Sequence, residues 1–354
     1  MNLLIVKLSA IGDVIHTLPS LAALRRHFPA AHITWVVEEA ASDLLADHPH
    51  LDRVLISRRR RWQDDLKRGR VRQPLRAIAA FIGDLRSRPY DLVIDFHGLF
   101  KSALLVCLSG GRRKLGYDSL QEGSGLFYTE KIPEDLTRHA VDRYLDFARH
   151  LGIEPGKAEF LIPDTEDQRG KIDSLLQGLG IAPREPFIAL SPVAFWETKL
   201  WEEARFSRLG DRIHRELGLP VVLTDGASDC TARIARGMTE AAVDLGGRTT
   251  LRELAALYRR AALLVTTDSG PMHLAAAVGC PVVALFGPTD PRRTGPYGPG
   301  HTVLTSPVDC RPCFRKTCET RQCMRDIAVD AVFEAVRENL ADRQQKMHAE
   351  KTLE

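Results

Sequence analysis

Residues 1–19, MNLLIVKLSAIGDVIHTLP, predict how this chain folds. Residues 3–8 form an apolar run of strand length, and an amphipathic helical pattern follows over 14–28. Asp13 lies in the turn between them, directly after Gly12, where a carboxylate interrupts apolar residues. Doubly wound folds place functional groups in such turns. Asp13 is therefore either a helix cap or a general base aimed at a binding cleft.

The alternation of strand and helix patterns continues along the chain. Further strands are predicted at 32–37, 91–95, 187–191, 221–224, 263–267 and 281–286. Helices are predicted at 139–151, 202–216, 228–238, 251–260, 271–278 and 326–347. This order favours an α/β fold with two parallel sheets, each covered by helices on both faces.

The length of 354 residues exceeds what one hydrophobic core usually supports. The pattern loosens near residues 155–183, where PGKAEFLIPDTEDQRG is typical of a linker. We therefore expect an N-terminal domain over 1–163, a C-terminal domain over 164–325, and a closing helix and tail over 326–354.

Composition excludes several classes of protein. The formal net charge of +3 does not favour nucleic acid as a partner. No apolar run approaches the roughly 18 residues of a membrane-spanning helix. The first residues also lack the cleavage site of a secretory signal. We therefore expect a soluble cytoplasmic protein.

The stretch TTDSGPMHLAAAVGCPVVALFGPTDP, residues 266–291, is the strongest local motif. A strand ends at Thr267, Asp268 to Gly270 make a turn, and Pro271 suits the start of a helix. Backbone amides at such a helix start can bind an anion, and a diphosphate would fit. Asp268 could accept hydrogen bonds from sugar hydroxyls. Helix capping by Asp268 or Ser269 is the alternative.

The stretch SPVAFWETKLWEEARF, residues 191–206, carries a lone cation, Lys199, in the loop after another predicted strand. Lysine is a good point-charge partner for a diphosphate leaving group. A solvated surface lysine is the alternative interpretation.

The basic run, residues 57–76, contains nine Lys or Arg and two Asp. Lys101 and residues 112–114 add further positive charge to the N-terminal half. Such runs are often only solvated. This density nevertheless favours a polyanionic partner: an acidic sugar, a phosphorylated lipid or an anionic membrane surface. No nucleic-acid motif accompanies it.

Four cysteines, Cys310, Cys313, Cys318 and Cys323, have the spacing CxxC-x4-C-x4-C. Four thiolates in a cytosolic chain can hold a structural zinc ion. Disulfides and free thiols remain open alternatives.

Together the motifs resemble glycosyltransferase family 9, the heptosyltransferases of lipopolysaccharide assembly, and most of all its heptosyltransferase I branch. The resemblance rests on IVKLSAIGDVIHTLP, ITWVVEEA, VIDFHGLFKSALL, RHAVDRYLDFARHLG, the loop ending TKLW, and the motif at 266–291. It implies a GT-B fold, in which two Rossmann-like domains face each other across a cleft and the last helix returns to the N-terminal domain. It also implies inverting transfer of L-glycero-D-manno-heptose from ADP-heptose to Kdo of Kdo-lipid A, with no cofactor required for catalysis.

The resemblance further implies roles for individual residues. Asp13 maps to the proposed general base. The donor-binding positions map to Lys199, Thr198, Asp229, Asp268, Ser269, Gly270 and His273. The acceptor-binding positions map to Arg58, Arg59, Arg60, Arg61 and Lys101. The chain departs from its relatives at Ala194 and Phe195, at Gln121, and at Asp229, which stands near the usual place of a glutamate.

Three alternatives stay open at this point. The acceptor could be that of heptosyltransferase II or of another family member. The chain could be a GT-B nucleotide-sugar epimerase, although the basic run would then have no partner. It could also bind anionic membrane without catalysis, which would leave Asp13 and Lys199 without a role. The expected location is the cytoplasm, peripheral to the inner membrane.

Overall fold

The computed structural model describes residues 1–119, 121–226 and 229–352. Two compact units divide the chain, Met1–Pro163 and Asp164–Glu354. Each is built on a six-stranded sheet in which the described strand pairings are parallel. The predicted α/β fold with one parallel sheet in each half is confirmed.

The N-terminal unit alternates strands with helices. Its strands are β1 (Asn2–Val6), β2 (His32–Glu38), β3 (Arg53–Ser57), β4 (Leu92–Asp95), β5 (Arg113–Tyr117) and β6 (Glu130–Ile132). Its helices are α1 (Ile11–His27), α2 (Glu39–Ser42), α3 (Arg59–Lys67), α4 (Arg72–Leu85), α5 (Phe100–Leu108) and α6 (Ala140–His150), with single 3-10 segments at Asp43–Leu45 and Gln121–Phe127. The sheet order is β3-β2-β1-β4-β5-β6. The side chains of β1 and β2 are almost all buried, as expected for strands covered on both faces.

The C-terminal unit repeats this plan. Its strands are β7 (Ile188–Ser191), β8 (Val221–Leu223), β9 (Ala242–Asp244), β10 (Leu263–Thr267), β11 (Val282–Phe286) and β12 (Thr302–Thr305). Its helices are α7 (Glu166–Gly178), α8 (Glu203–Leu217), α9 (Cys230–Gly237), α10 (Leu251–Arg260), α11 (Gly270–Ala277), α12 (Pro291–Thr294), α13 (Gln322–Arg325) and α14 (Val329–Thr352), with a 3-10 turn at Glu197–Lys199. The sheet order is β12-β11-β10-β7-β8-β9, the N-terminal order read from the other edge.

The strand order reverses once in each sheet. In the N-terminal unit the reversal lies between β1 and β4, and in the C-terminal unit between β7 and β10. Connections leave the two central strands in opposite directions there, which opens a crevice at their carboxyl ends where ligands bind. The loops after these four strands are therefore the expected positions of the ligand-binding and catalytic side chains.

The predicted linker is wrong over part of its length. Residues 166–178 form α7, whose first turn carries a capping box. The Gln168 amide donates to Thr165 Oγ1, and Gln168 Oε1 accepts from the Thr165 amide, both at 3.3 Å. The T-x-x-Q spacing was the sequence signal for this helix. Ile172 and Leu176 bury its apolar side.

The closing helix α14 belongs to the C-terminal unit in its packed part. Val332, Phe333 and Val336 are buried in the same core as Met324 and Ile327. The apolar face of these side chains packs on α8 and on strands β10 to β12.

Among the residues that the structure describes, no helix is both long and apolar enough to cross a bilayer.

Candidate functional site

Asp13 lies in the first turn of α1, just beyond the carboxyl end of β1. It is the third helical residue, and Ala10 occupies the capping position before it. Asp13 Oδ2 accepts a hydrogen bond from the Ala10 amide at 3.1 Å. The side chain nevertheless remains 39% exposed. Capping of its own helix therefore coexists with an accessible carboxylate.

A buried lysine follows β1 and faces this carboxylate. Lys7 Nζ donates to the Phe96 carbonyl at 2.9 Å and to Tyr144 Oη at 2.6 Å, and lies 4.0 Å from Asp13 Oδ2. Tyr144 Oη, on α6, donates to Asp13 Oδ1 at 3.3 Å. Burial lowers the pKa of Lys7, although the charges of Asp13 and Asp95 oppose that shift. Burial also holds the pKa of Tyr144 well above its usual range, so the phenol keeps its proton.

The loop after β4 forms the other side of this crevice. Asp95 is fully buried and accepts hydrogen bonds from the His97 amide at 2.8 Å, the Gly98 amide at 3.2 Å and Tyr128 Oη at 2.7 Å. Burial, followed by the charges of Lys7 and Lys101, lowers the pKa of His97 to about 3. Asp95 therefore fixes the loop, and His97 is a neutral imidazole.

Glu38, at the end of β2, forms ion pairs with part of the basic run. Its carboxylate is 3.1 Å from Arg59, 3.7 Å from Arg60 and 3.5 Å from Lys101, and it is almost buried. Lys101 Nζ also donates to Ser9 Oγ at 3.2 Å. The residue after Ser9 is Ala10, whose amide donates to the Asp13 carboxylate. A continuous set of polar contacts thus joins the start of the basic run to the turn that carries Asp13.

The other two predicted arginines lie outside this set. Arg58 pairs with Glu39 at 3.2 Å. Arg61 is exposed and forms no ion pair with any residue that the structure describes. The basic run itself folds into α3, the following turn and the start of α4.

In the C-terminal unit, Lys199 and Asp268 form an ion pair at the point where the strand order reverses. Lys199 Nζ lies 2.6 Å from Asp268 Oδ2, which also accepts from Thr289 Oγ1 at 2.7 Å. The two side chains are only 16% and 5% exposed. Lys199 Nζ also stands 4.5 Å from the centre of the Trp196 ring. Asp268 and Trp196 therefore fix the Lys199 side chain in a largely buried position, and the interpretation of Lys199 as a solvated surface lysine is wrong.

The turn after β10 leaves the start of α11 without a side-chain cap. Ser269 occupies the capping position, but its hydroxyl contacts Thr266 Oγ1 at 3.3 Å rather than a helix amide. Gly270 is the first helical residue, and Pro271 follows it. The capping alternative is therefore not realised, and the α11 amides remain available to an anion. His273 is buried one turn further on.

Two further predicted donor residues are less central. Thr198 is buried, and its hydroxyl donates to the Arg315 carbonyl at 2.7 Å. Asp229 is exposed directly before α9 and makes no side-chain cap with that helix. Residues 227–228, which belong to the same motif, lie outside the described residues.

The cysteine-rich segment, residues 306–325, packs beside the Lys199 loop. The Cys313 and Phe314 amides each donate to the Pro288 carbonyl at 2.9 Å, and Lys316 Nζ lies 5.4 Å from the Trp196 ring centre. All seven cysteines are free thiols. Within the described part of the chain, no three His, Cys, Asp or Glu side chains are grouped so that they could hold a metal ion. The four thiols as placed therefore do not fit the structural zinc that their spacing suggested.

The sequence did not identify several residues that surround Asp13 in the N-terminal unit and Lys199 in the C-terminal unit. Lys7 had a signal, because a lysine inside an apolar strand is unusual. Glu38 had a weaker one, as a carboxylate at the carboxyl end of a strand. Tyr144, Thr289 and Lys316 had none, because only the folded chain brings them to Asp13, Asp268 and Trp196.

Comparison with known proteins gives consistent matches over most of the chain. The model of glycosyltransferase family 9 (heptosyltransferase) matches residues 78–324. Lipopolysaccharide heptosyltransferase 1 of Pseudomonas aeruginosa is 35% identical over 329 residues, 90% of this chain and 87% of that protein.

Solved structures agree with this match. The heptosyltransferase WaaC of E. coli with ADP has a TM-score of 0.75 and 28% identity, covering 96% of this chain and 100% of that one. A glycosyl transferase of family 9 from Veillonella parvula has a TM-score of 0.81 and 25% identity, covering 96% and 97%. The expected GT-B class is confirmed in its two parallel-sheet domains.

We predict a strong energetic coupling between Lys199 and Asp268. Removing either charge leaves the other one largely buried without a counter-charge. A double-mutant cycle with Lys199→Met and Asp268→Asn should therefore give a coupling of about 2 kcal/mol in the free energy of unfolding. The control is the Arg292–Asp290 pair, where Arg292 is largely exposed. That pair should give about 0–1 kcal/mol. Equal couplings in denaturant titrations would contradict a buried pair at Lys199.

Proposed function

The chain belongs to glycosyltransferase family 9, and from that premise we propose that it transfers L-glycero-D-manno-heptose from ADP-heptose to Kdo of Kdo-lipid A, with inversion at the anomeric carbon. Family membership makes it a heptosyltransferase of lipopolysaccharide synthesis, which leaves the epimerase and non-enzymatic alternatives without support. The N-terminal domain binds the acceptor, and the C-terminal domain binds the nucleotide sugar.

One observation carries the acceptor part of this proposal. An accessible carboxylate, Asp13, stands at the same sheet edge as a row of cations, and Glu38 and Lys101 connect the two. Kdo carries a carboxylate and lipid A carries phosphates, so the acceptor is a polyanion with a nucleophilic hydroxyl. Cations beside a base suit such a substrate, because guanidinium and ammonium groups bind carboxylate and phosphate oxygens.

Asp13 acts as the general base. The acceptor hydroxyl is a poor nucleophile, so a carboxylate must take its proton as the oxygen attacks the anomeric carbon. The new C–O bond forms as the bond to the ADP phosphate oxygen breaks. Attack on the face opposite the leaving group inverts the configuration. General-base help of this kind is worth about 10²–10⁴ in rate.

Lys199 and the start of α11 stabilise the departing ADP. The diphosphate gains negative charge as the bond breaks, and fixed donors that match this charge lower the barrier. Lys199 gives one N–H to Asp268 and has further donors for a phosphate oxygen. Gly270 permits close approach of the backbone, and its amide at the start of α11 can donate to the same anion. Lys316 supplies a second cation near Trp196.

The remaining donor residues orient the sugar and the nucleoside. Asp268 accepts both of its bonds on Oδ2, so Oδ1 has no hydrogen-bond partner among the described residues and can accept from a heptose hydroxyl. Ser269 and Thr198 lie in the loops after β10 and β7, and His273 lies in α11; we assign the ribose contact to Asp229, directly before α9. Catalysis in this scheme asks for no metal ion.

The enzyme works in the cytoplasm, peripheral to the inner membrane, and nucleic acid is not a partner. The α3–α4 tip, residues 66–75, supports this location. Leu66, Val71 and Leu75 are exposed there, although they are large and apolar. Cations with no ion pair among the described residues surround them: Arg61, Lys67, Arg68, Arg72 and Arg76. Exposed apolar groups among unpaired cations fit an anionic bilayer surface.

Replacing Asp13 with Asn tests the general base. The amide oxygen can still accept the Ala10 hydrogen bond, so the start of α1 should be kept, but Lys7 loses a counter-charge; the variant should therefore stay folded with a somewhat lower melting temperature. It cannot take a proton, so kcat should fall by about 10²–10⁴ while the Kd for ADP-heptose changes little. Asp142→Asn, the same change in the first turn of α6, is the control and should retain kcat. A kcat within about threefold of the parent would exclude the base role.

Replacing Arg60 and Arg61 with Ala tests acceptor binding. We expect the KM for Kdo-lipid A to rise and the KM for ADP-heptose to stay nearly constant. The difference should shrink in high salt, because exposed charges are screened over about 8–10 Å at physiological ionic strength. Arg26→Ala removes an exposed, paired arginine elsewhere in the same unit and should change neither constant. A matching loss of donor affinity would refute the assignment.

Sedimentation with lipid vesicles tests the membrane surface. The protein should bind vesicles that contain phosphatidylglycerol far more than pure phosphatidylcholine, because each basic residue near an anionic surface adds about 1 kcal/mol. The triple change Leu66→Ser, Val71→Ser and Leu75→Ser should weaken that binding. Leu126→Ser, at an exposed leucine outside the tip, should not. Equal binding of both lipids, or equal loss in both variants, would overturn this surface.

A further inference from the structure

We propose that Lys7 and Tyr144 are positioning residues for the reaction, which together hold the Asp13 carboxylate in place and keep it ionised. This inference rests on the proposed role of Asp13 as the base. Neither residue needs to touch substrate, and both act through Asp13.

The three side chains form an ordered chain of donors and acceptors. Lys7 Nζ donates to the oxygen of Tyr144 at 2.6 Å, and the Tyr144 hydroxyl donates to Asp13 Oδ1 at 3.3 Å. The phenol has one proton, and accepting from the ammonium leaves that proton free to point at the carboxylate. Each hydrogen bond polarises the next, so the ammonium strengthens the donation to Asp13.

The burial of Lys7 argues for a purpose beyond packing. A lysine at this position is only 3% exposed, and burying an ammonium without compensation is costly. The Phe96 carbonyl carries no net charge, whereas the Asp13 carboxylate at 4.0 Å is the largest of the nearby charges that offset the burial of Lys7. Removing one partner of such a pair leaves an uncompensated charge. Lys7 and Asp13 therefore depend on each other.

Other charged and titratable groups face the same place. Asp95 and His97 lie at the end of β4, Lys101 on α5, Tyr117 on β5, Arg143 on α6 and Glu134 in the loop before α6. Asp95 and Arg143 act on Lys7 with opposite signs. Asp95 is already occupied by its own loop and Tyr128. Asp13 is the carboxylate that the Lys7–Tyr144 pair reaches through a hydrogen bond.

This arrangement assigns separate roles to the two carboxylate oxygens. Oδ1 receives the Tyr144 hydroxyl, and Oδ2 receives the Ala10 amide. The two anchors fix the plane of the carboxylate, which stays exposed enough for the acceptor hydroxyl to reach it. During transfer, the acceptor proton goes to Asp13 and then to solvent, while Lys7 and Tyr144 keep their protons.

Tyr144→Phe is the test that preserves packing, because the ring contact with Phe96 does not need the hydroxyl. Losing one hydrogen bond to a charged group should reduce kcat by about tenfold or more. The KM for ADP-heptose should stay constant. The acidic limb of the pH profile of kcat should move to higher pH, because a carboxylate without this donor binds a proton more readily. Lys7→Met should move the limb in the same direction.

Tyr117→Phe is the matched control. Tyr117 is a buried phenol in the same unit, packed on Phe147, and its hydroxyl has no hydrogen-bond partner among the described residues. Its loss should leave kcat and the pH profile unchanged. If Tyr144→Phe behaves like Tyr117→Phe, the positioning role is refuted.

A second readout keeps this inference apart from the proposed function. Carbon-13 NMR of labelled aspartate, with Asp13→Asn to assign the signal, follows the Asp13 carboxyl titration without any turnover. The midpoint should rise in Tyr144→Phe and in Lys7→Met. An unchanged midpoint overturns the inference even in an active enzyme. Absence of heptose transfer by the parent overturns the proposed function, and the midpoint then still decides on Lys7 and Tyr144.

Discussion

Parallel pairing is the constraint on which the rest of this molecule depends. Because every described strand pair is parallel, all strands of a sheet end at the same edge. Helices must then return along both faces, and the loops after the central strands are the ones free to carry polar groups. Asp13 stands in the first turn of the helix after β1, and Lys199 stands in the loop after β7; each lies next to the place where the strand order of its sheet reverses.

Both units meet the same electrostatic problem in the same way. A cation set into an apolar sheet edge must be compensated there, because burial favours its neutral form. Lys7 is compensated by Tyr144 and Asp13, and Lys199 by Asp268 and the Trp196 ring. At Glu38 the charges are the opposite way round, because one buried carboxylate is compensated by three cations. Each cluster is therefore held before a substrate arrives, and preorganised charge of this kind is the usual source of electrostatic catalysis.

The sequence was enough to predict most strands and the turn at Asp268. It was not enough to predict helix α7 or the partners of the site residues, and each of these failures has a physical reason. The strands at 263–267 and 32–37 and the turn at Asp268 follow from hydrophobic pattern and turn chemistry, and the structure has them within a residue or two. Helix α7 was overlooked because prolines and charges around Pro163 hid its capping box. The partners Tyr144 and Thr289 lie 131 and 21 residues from Asp13 and Asp268, so only the fold could reveal those contacts. The cysteine spacing suggested zinc, but spacing alone does not fix where the thiols point.

The central claim is heptose transfer to Kdo with inversion. The structure of the product formed from ADP-heptose and Kdo-lipid A tests it most directly, by mass spectrometry for composition and by NMR for linkage and anomeric configuration. We expect one heptose attached to Kdo, with the anomeric configuration opposite to that of the donor, and one ADP released for each heptose transferred. A product with retained configuration, a heptose attached to a sugar other than Kdo, or release of free heptose alone would contradict the account.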